Sequence, residues 1–370
     1  MTDYNNEQCH KCGREMQFNE DPFIPADCPC GHLQISPFKV DGIQFNKLLA
    51  SSPIFLLFHG IYEDKNLFVT ITVLRKDISD YEWCLKTAEE EAEKAQQLRH
   101  LNICPIFEFG TKNGYFCIIT PSLDGYPLSS YLPEEHGLLA ITKVIDLLQA
   151  TALGMAVAHY KEVVHHDICP DNIHIDNRGI IRIKNFFISR FIYLFDQRRI
   201  EKKNHIYTSV SPIYISPEKV ESGTEDGRGD VFSFGVMFYY FLTGTFPFHG
   251  TKEVETIYSR VKLRNKAKRG KLNIEYDIDS DDFPEYIPPT PPKELRKEIP
   301  AETSTMIMQM LSYYPNDRPT FSEVISEFNM LRAKTDVIKI RKAQEDIIDS
   351  ETKTIPKMKS PFRKKEIIQH

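Results

Sequence analysis

The sequence lacks the features of a membrane, secreted or nucleic-acid-binding protein. It contains no unbroken run of about 18 apolar residues, which a membrane-spanning helix needs. Its first residues, MTDYNNEQ, form no apolar stretch like that of a secretory signal. Basic residues are not in excess, because 46 Lys and Arg stand against 52 Asp and Glu, for a net charge of −6. These absences predict a cytoplasmic protein with no transmembrane segment and no nucleic-acid partner.

Because there is no export signal, the eight cysteines are expected to be thiols or metal ligands rather than disulfides. The length of 370 residues and the hydrophobic fraction of 41% are enough for one domain of about 250–300 residues and a small additional module. Four of the eight cysteines lie in the first thirty residues, which indicates that the additional module is N-terminal and binds a metal.

These four cysteines form two close pairs, Cys9 with Cys12 and Cys28 with Cys30. A glycine follows each pair and lets the backbone turn so that both sulfurs face one ion. Four thiolates complete the tetrahedral coordination of a zinc ion and leave no open coordination position, which favours a structural role over catalysis. The arrangement resembles a zinc ribbon, so residues 1–40 are predicted to be a zinc-ribbon-like module that its metal folds.

Two alternatives stay open for this segment. The second pair is one residue closer than the usual spacing, so His10 or His32 could replace a thiolate. Four unrelated cysteines are the other interpretation.

The loop at residues 165–172, HHDICPDN, carries a carboxylate and an amide between two apolar runs. Asp167 precedes Asn172 by five residues, a spacing that resembles the protein-kinase catalytic loop H-R-D-x-x-x-x-N. In that family the Asp accepts the proton of the substrate hydroxyl and the Asn holds magnesium. The resemblance implies an α+β, two-lobed protein-kinase-like fold, in which His165 opens the loop in a structural role.

The preceding region has the element order of a kinase N-lobe. Apolar runs predict strands at residues 54–58 and 67–74, a helix at 80–98, and two further strands at 103–109 and 115–119. Together with one earlier strand, the order β-β-β-α-β-β resembles the small lobe of the family. The resemblance places the N-lobe at residues 41–122 and a larger helical C-lobe at 123–335.

Several N-lobe positions that grip phosphate in the family are changed here. Thr72 stands where the family has the phosphate-binding lysine of its third strand. The glycine-rich loop is replaced by ASSPIF at residues 50–55, in which side chains and Pro53 obstruct the approach of phosphates. Glu91 matches the glutamate of the αC helix, although its lysine partner is absent. Alternatively, Glu91 is a solvated member of the run Glu89–Glu91.

The hinge between the lobes is placed by the resemblance at residues 120–123, TPSL. Thr120 takes the gatekeeper position, and Ser122 and Leu123 would hold an adenine through backbone groups. His174 takes the place of an apolar residue expected under the adenine ring, which is unfavourable for a nucleotide.

The C-lobe resemblance also shows changed catalytic positions. Asn185 stands in place of the Asp of the D-F-G segment and is a poorer ligand for a hard dication because it is uncharged. Phe187 replaces the glycine of that segment. In the catalytic loop, His166 replaces the Arg, and Cys169 replaces the Lys that neutralises the transferred phosphoryl group.

Structural landmarks of the C-lobe are retained. YISPE ends at Glu218 and resembles the A-P-E segment, DVFSFG begins at Asp230 and resembles D-V-W-S-x-G, and Arg318 lies in a late R-P-T motif. The resemblance implies a largely buried Glu218–Arg318 ion pair, whereas two unrelated surface charges are the alternative. The sequence before the penultimate helix resembles bacterial serine/threonine kinases. Residues 271–297 are predicted to be a Pro- and Asp-rich extended insertion, and residues 336–370 a charged, flexible tail.

The favoured hypothesis is a pseudokinase, a catalytically impaired kinase-fold module that carries structural Zn²⁺ and acts through other proteins. The lost lysines, glycines and metal carboxylate argue against a tight site for ATP and Mg²⁺. The first alternative is a divergent active serine/threonine kinase that recruits Lys65, Arg75 or Lys76 as its cation. The second is a regulator that binds ATP without turnover. Nucleic-acid binding through the zinc ribbon ranks last.

Overall fold

The computed structural model describes residues 7–133, 137–201, 212–222, 224–248, 289–330 and 332–333. The chain divides into two compact units, Met1–Ile325 and Ser326–His370. The N-lobe, the C-lobe elements up to residue 325 and all the sites discussed below belong to the first unit. In the second unit, residues 326–330 and 332–333 are helical.

The N-terminal module consists of two short antiparallel hairpins. Strand β1 (Glu7–Gln8) pairs with β2 (Glu15–Met16), and β3 (Ala26–Asp27) pairs with β4 (Leu33–Gln34). Two-residue strands with a small core are not stable by themselves. The module therefore depends on other contacts for its structure.

The N-lobe consists of six strands and two helices. The strands are β5 (Phe38–Val40), β6 (Ile43–Ser51), β7 (Phe55–Tyr62), β8 (Leu67–Leu74), β9 (Glu108–Lys112) and β10 (Tyr115–Pro121), and the helices are α1 (Lys76–Ser79) and α2 (Glu82–Gln96). The strands form one antiparallel sheet in the order β5-β6-β7-β8-β10-β9. The two helices lie between β8 and β9 in the chain.

The strand predicted at residues 103–109 is wrong at 103–107, because β9 begins only at Glu108. Residues 102–104 bond to the C-lobe instead. The Cys104 N–H donates to the carbonyl of Ile183 at 2.8 Å, and the Ile183 N–H donates to the carbonyl of Asn102 at 2.8 Å. This short segment joins the two lobes by backbone hydrogen bonds.

Phe23, from the N-terminal module, is fully buried in the core of the N-lobe sheet. Its ring stacks on Tyr115 at 4.4 Å and meets Phe45 edge-on at 5.3 Å. The Tyr115 hydroxyl donates to Asp21 at 2.5 Å. Aromatic contacts of this kind stabilise beyond simple burial. The segment between the two cysteine pairs is therefore fixed to the sheet.

The C-lobe is built around one buried helix. Nearly every residue of this helix, α6 (Gly227–Thr243), is buried, and the helix ends at Gly244, whose φ of 75° suits a glycine cap. A small sheet, β11-β12-β13, carries the catalytic-loop hairpin. The C-lobe elements are β11 (Tyr126–Pro127), α3 (Ile141–Tyr160), β12 (Ile173–Ile175), β13 (Ile181–Ile183), α4 (Phe186–Glu201), α5 (Pro217–Ser222), α6 (Gly227–Thr243), α7 (Pro292–Leu295), α8 (Ala301–Met310) and a helix at 321–330. The predicted combination of a β-rich lobe and a helical lobe is confirmed.

Helix α3 is long and apolar enough to cross a membrane if only length and composition are considered. Half of its apolar window is buried inside the protein, where the helix packs against α6 and β13. The core helix of a globular domain passes the same test, so this helix is weak evidence for a membrane span.

Part of the predicted insertion and the predicted tail lie outside the described residues. These parts are residues 271–288 and 336–370. The described end of the insertion contains the short helix α7, where an extended loop was expected. Pro292 occupies the first turn of that helix, a position that proline favours because its φ is already helical.

Candidate functional site

Asp230, in the first turn of α6, fixes the backbone of the catalytic loop. Its carboxylate accepts the N–H groups of His165 and His166, both at 2.8 Å, and bonds to His159 Nε2 at 2.9 Å. Burial by itself would raise the pKa of Asp230, but the bond from His159 and the neighbouring histidine charges lower it to about 2. The His165 ring bonds to the carbonyl of Lys184 at 2.9 Å. The loop is thus tied to both α6 and the segment before Asn185.

Asp167, Asn172 and Asn185 form a chain of hydrogen bonds at the centre of the site. The Asn172 amide donates to Oδ2 of Asp167 at 2.9 Å, and the Asn185 amide donates to Oδ1 of Asn172 at 2.8 Å. Oδ1 of Asp167 is buried and finds no hydrogen-bond partner among the described residues. Burial raises the pKa of Asp167. The side-chain oxygen of Asn172 therefore already accepts one hydrogen bond from within the site.

Glu91, on α2, is buried and paired, so the interpretation as a solvated acid is wrong. Its carboxylate accepts Lys94 Nζ at 2.6 Å and forms a second ion pair with Arg190 of α4. Arg190 also donates to the carbonyl of Val164 at 3.0 Å. Thr72 is buried and offers no charge. Arg190 therefore forms the ion pair with Glu91 that the third-strand lysine forms in the family.

Arg190→Met is expected to destabilise the protein by about 1–3 kcal/mol at neutral pH, because it removes a charged partner from a buried carboxylate. In the native chain, burial would raise the pKa of Glu91, but Arg190 and Lys94 lower it. The native pair therefore stabilises above the unfolded pKa of about 4.3 and is lost as the pH falls through the lowered value.

Without Arg190, burial is expected to raise the pKa of Glu91, so the variant's deficit should shrink as the pH falls towards the unfolded value of about 4.3. Urea unfolding at several pH values measures this deficit. Lys94→Met is the matched control, because Lys94 is half exposed and should contribute less than about 1 kcal/mol. A deficit independent of pH would contradict the assignment.

Helix α4 begins directly after Asn185 and was not predicted. Phe187, Phe191 and Phe195 are four residues apart and share one face of the helix. Phe55, at the start of β7, contacts Phe187 and Phe191 with ring centroids 5.9 and 5.5 Å away. Where the family has a flexible glycine, Phe187 continues the helix and packs against the N-lobe. The spacing of the three phenylalanines was the signal that could have predicted α4.

Glu225 gives His166 an internal anionic partner that sequence reasoning missed. The Glu225 carboxylate lies 3.2 Å from His166 Nδ1 and 3.0 Å from Lys219 Nζ, and accepts the Ser216 hydroxyl at 2.6 Å. Tyr193 stacks on the His166 ring at 3.7 Å. Burial would raise the pKa of Glu225, but the positive charge of Lys219 and the His166 bond lower it. At the position where the family has its loop arginine, His166 thus contacts an internal carboxylate that Lys219 also pairs with.

A cavity of about 260 Å³ lies beside the hinge. Its wall combines strand residues, hinge residues and the first turn of α4. His174 lines it and is held by a bond from Nε2 to the carbonyl of Asp124 at 2.8 Å. The lining includes Leu49, Leu57, Thr70, Thr72, Ile118, Thr120, Pro121, Ser122, Leu123, His174, Lys184, Asn185, Phe186, Phe187 and Ile188.

The three cations considered from sequence do not line this cavity. Arg75 donates to the Ser52 carbonyl at 2.6 Å, Lys65 lies over the Tyr62 ring, and Lys76 lies over the Tyr115 ring. Cys169 is buried as well, and burial raises the pKa of its thiol, so it supplies no charge. The cation that does line the cavity is Lys184, which sequence reasoning missed.

The expected Glu218–Arg318 ion pair is present. Nη1 and Nη2 of Arg318 donate to the two carboxylate oxygens at 2.7 and 2.8 Å. The Arg318 side chain is fully buried, and that of Glu218 is 19% exposed. The bidentate geometry is the strong form of this interaction.

The four N-terminal cysteines form one cluster that contains no histidine. The Sγ atoms of Cys9 and Cys30 are 3.7 Å apart, and those of Cys12 and Cys28 are 3.5 Å apart. Four sulfurs at about 2.3 Å around a tetrahedral zinc ion would be separated by roughly 3.8 Å. The donor set and its spacing therefore fit zinc.

Comparison with known proteins identifies the fold. The family model described as protein kinase domain matches residues 57–328. The chain is 27% identical over 213 residues to the serine/threonine-protein kinase PrkC of Bacillus subtilis, covering 57% of this chain and 32% of that protein. It is 24% identical over 282 residues to the probable serine/threonine-protein kinase CPE1738 of Clostridium perfringens, covering 76% of this chain and 37% of the relative.

Among solved structures, the kinase domain of Mycobacterium tuberculosis PknI is similar, with a TM-score of 0.54 and 16% identity. The match covers 79% of this chain and 97% of that domain. The chain spans about a third of the length of the two relatives named above.

Proposed function

The chain belongs to the protein kinase domain family, and from that premise we propose that it is a pseudokinase that acts by binding other proteins. The hydrogen bond from Asn185 to Asn172 carries this proposal. An amide stands where a metal-binding carboxylate is needed, and it donates to the side-chain oxygen of Asn172, which matches the family's second metal ligand. Of the three residues, only Asp167 is acidic.

Losses at other positions support the same function. Phosphoryl transfer depends on positioning the nucleotide and neutralising the charge that develops on it. Thr72 and Cys169 are neutral at positions where the family has lysines. Phe55, in the segment that replaces the glycine-rich loop, packs on Phe187 of α4 beside the cavity. Each lost electrostatic contact is expected to lower the rate by about 10²–10³, although the effects do not add.

A kinase assay with radiolabelled ATP and a generic protein substrate tests the proposal. We expect the full chain to transfer no more label than Asp167→Asn, with or without Mg²⁺ or Mn²⁺. Label transfer that disappears in Asp167→Asn would instead establish a divergent active serine/threonine kinase, as the names of the relatives suggest.

A second candidate is a regulator that binds nucleotide without turnover, and the cavity beside Thr120–Leu123 favours it. Backbone groups at the hinge suffice to hold a base. Thermal-shift titration with ATP, with and without Mg²⁺, tests this candidate. No shift at millimolar nucleotide would exclude it.

The N-terminal cysteines are proposed to hold one structural zinc ion. Residues 1–40 would then form a module that supports the N-lobe and offers a surface to protein partners, while 41–335 forms the kinase-like domain. A cytoplasmic location is part of the same proposal.

A further inference from the structure

Lys184 is a cation without a counter-charge in the hinge cavity. Its backbone carbonyl is held by His165 at 2.9 Å, which fixes where its side chain begins. Among the described residues, its ammonium group has neither a hydrogen bond nor an ion pair. The side chain is half-buried, and burial lowers its pKa. A charged group that is partly desolvated and unpaired is costly to keep without a ligand.

The rest of the cavity wall favours an anionic ligand. No Asp or Glu from the described part of the chain lines the cavity. His174 also lines it, but burial lowers the pKa of this imidazole, so it adds no charge at neutral pH. Asp171, which influences Lys184 electrostatically, lies outside the lining and already accepts the Ser129 hydroxyl at 2.5 Å. Lys184 is therefore the wall's only full positive charge within the described residues.

The cavity is suited to a single anionic group rather than to a metal-bound triphosphate. The first turn of α4, Phe186 to Ile188, forms part of its wall. Phe187 is in turn covered by Phe55. Because no carboxylate from the described residues lines this wall, the wall offers no favourable binding site for Mg²⁺.

We infer that Lys184 is the anion-binding residue of this cavity, and that it holds a nucleotide through the phosphate nearest the sugar, without Mg²⁺. The base lies at the hinge, and the phosphate contacts the ammonium group of Lys184. This lysine supplies the positive charge that Thr72 and Cys169, at the family's two lysine positions, do not carry. This inference deepens the second candidate function and rests on it, because it requires that a nucleotide binds.

The test is isothermal titration of the full, zinc-containing chain with adenosine, AMP and ATP in EDTA. A charged hydrogen bond to phosphate should make AMP bind about 10- to 100-fold tighter than adenosine. ATP should bind about as tightly as AMP, and added Mg²⁺ should not improve either. In Lys184→Met the advantage of AMP over adenosine should vanish while adenosine affinity is unchanged, and Lys184→Arg should retain most of the advantage.

Arg182→Met is the matched control, since Arg182 lies two residues earlier and donates to the Leu101 carbonyl away from the cavity. It should leave all three affinities unchanged. An advantage of AMP that persists in Lys184→Met, or binding that requires Mg²⁺, would overturn the inference and leave nucleotide binding intact. If ATP binds but AMP does not, the inference alone fails. If the native chain binds none of adenosine, AMP and ATP, with or without Mg²⁺, both the inference and the second candidate function fail.

Discussion

Removal of zinc from the full chain should unfold the N-terminal hairpins and also destabilise the N-lobe sheet. The hairpins have two-residue strands, and the buried core around the cysteines consists of Cys9, Met16, Ala26 and Cys28. A core this small cannot offset the entropy of ordering the segment, so the metal supplies most of the folding free energy. Structural zinc sites in small domains contribute about 10–16 kcal/mol at neutral pH.

The loss should reach the N-lobe because Phe23 lies between the two cysteine pairs and is fully buried in the sheet core. Once the pairs are released, Phe23 loses the constraint that holds it against Tyr115. Truncation of a buried phenylalanine typically costs about 3–5 kcal/mol, which indicates the scale of the effect on the sheet. The single tryptophan, Trp83 on α2, provides a fluorescence signal for N-lobe unfolding.

The measurement combines metal analysis with urea unfolding before and after chelation. One zinc per native molecule is expected, and Cys12→Ser should lose most of it and unfold at lower urea. Cys104→Ser is the matched control because Cys104 lies outside the cluster, and it should retain its zinc. Well under one zinc per native molecule would contradict the site.

The parts of the fold that were predicted from sequence are those governed by local pattern. The strand expected at 67–74 is β8, and the helix expected at 80–98 contains α2. In each case apolar spacing decides the element, because the buried face must repeat with the period of the backbone. The structural roles of Asp230 and Arg318 were predicted for a different reason, because both residues lie in motifs that resemble those of the kinase family.

The contacts that change the site depend on tertiary packing, so sequence did not predict them. Glu91 and Arg190 are 99 residues apart, and nothing local to either indicates that they meet. Lys184 is one position before Asn185, but its exposure to the cavity depends on where α4 and the hinge lie. Glu225 was missed because an acidic residue before a helix is normally solvated, whereas here it is buried against His166.

Arg318→Met is expected to lower the free energy of unfolding by about 3–5 kcal/mol, because it leaves the Glu218 carboxylate without its bidentate partner. The loss extends beyond this pair. The Arg318 guanidinium also donates to the carbonyls of Ser312 at 2.8 Å and Arg228 at 2.9 Å. It lies 4.9 Å from the centre of the Phe232 ring on α6. Methionine fills similar space but satisfies none of these buried acceptors.

Urea unfolding measures the effect, and Arg228→Met is the matched control. Arg228 pairs with Asp226 at the surface, where both side chains are about half exposed, so its loss should cost less than about 1 kcal/mol. Glu218→Gln should fall between the two, because the amide keeps one acceptor for the buried guanidinium but removes the opposing charge. An Arg318→Met deficit no larger than that of the control would show that the buried pair does not hold the A-P-E segment against α6. In that case the internal network around Glu225 would have to provide that support.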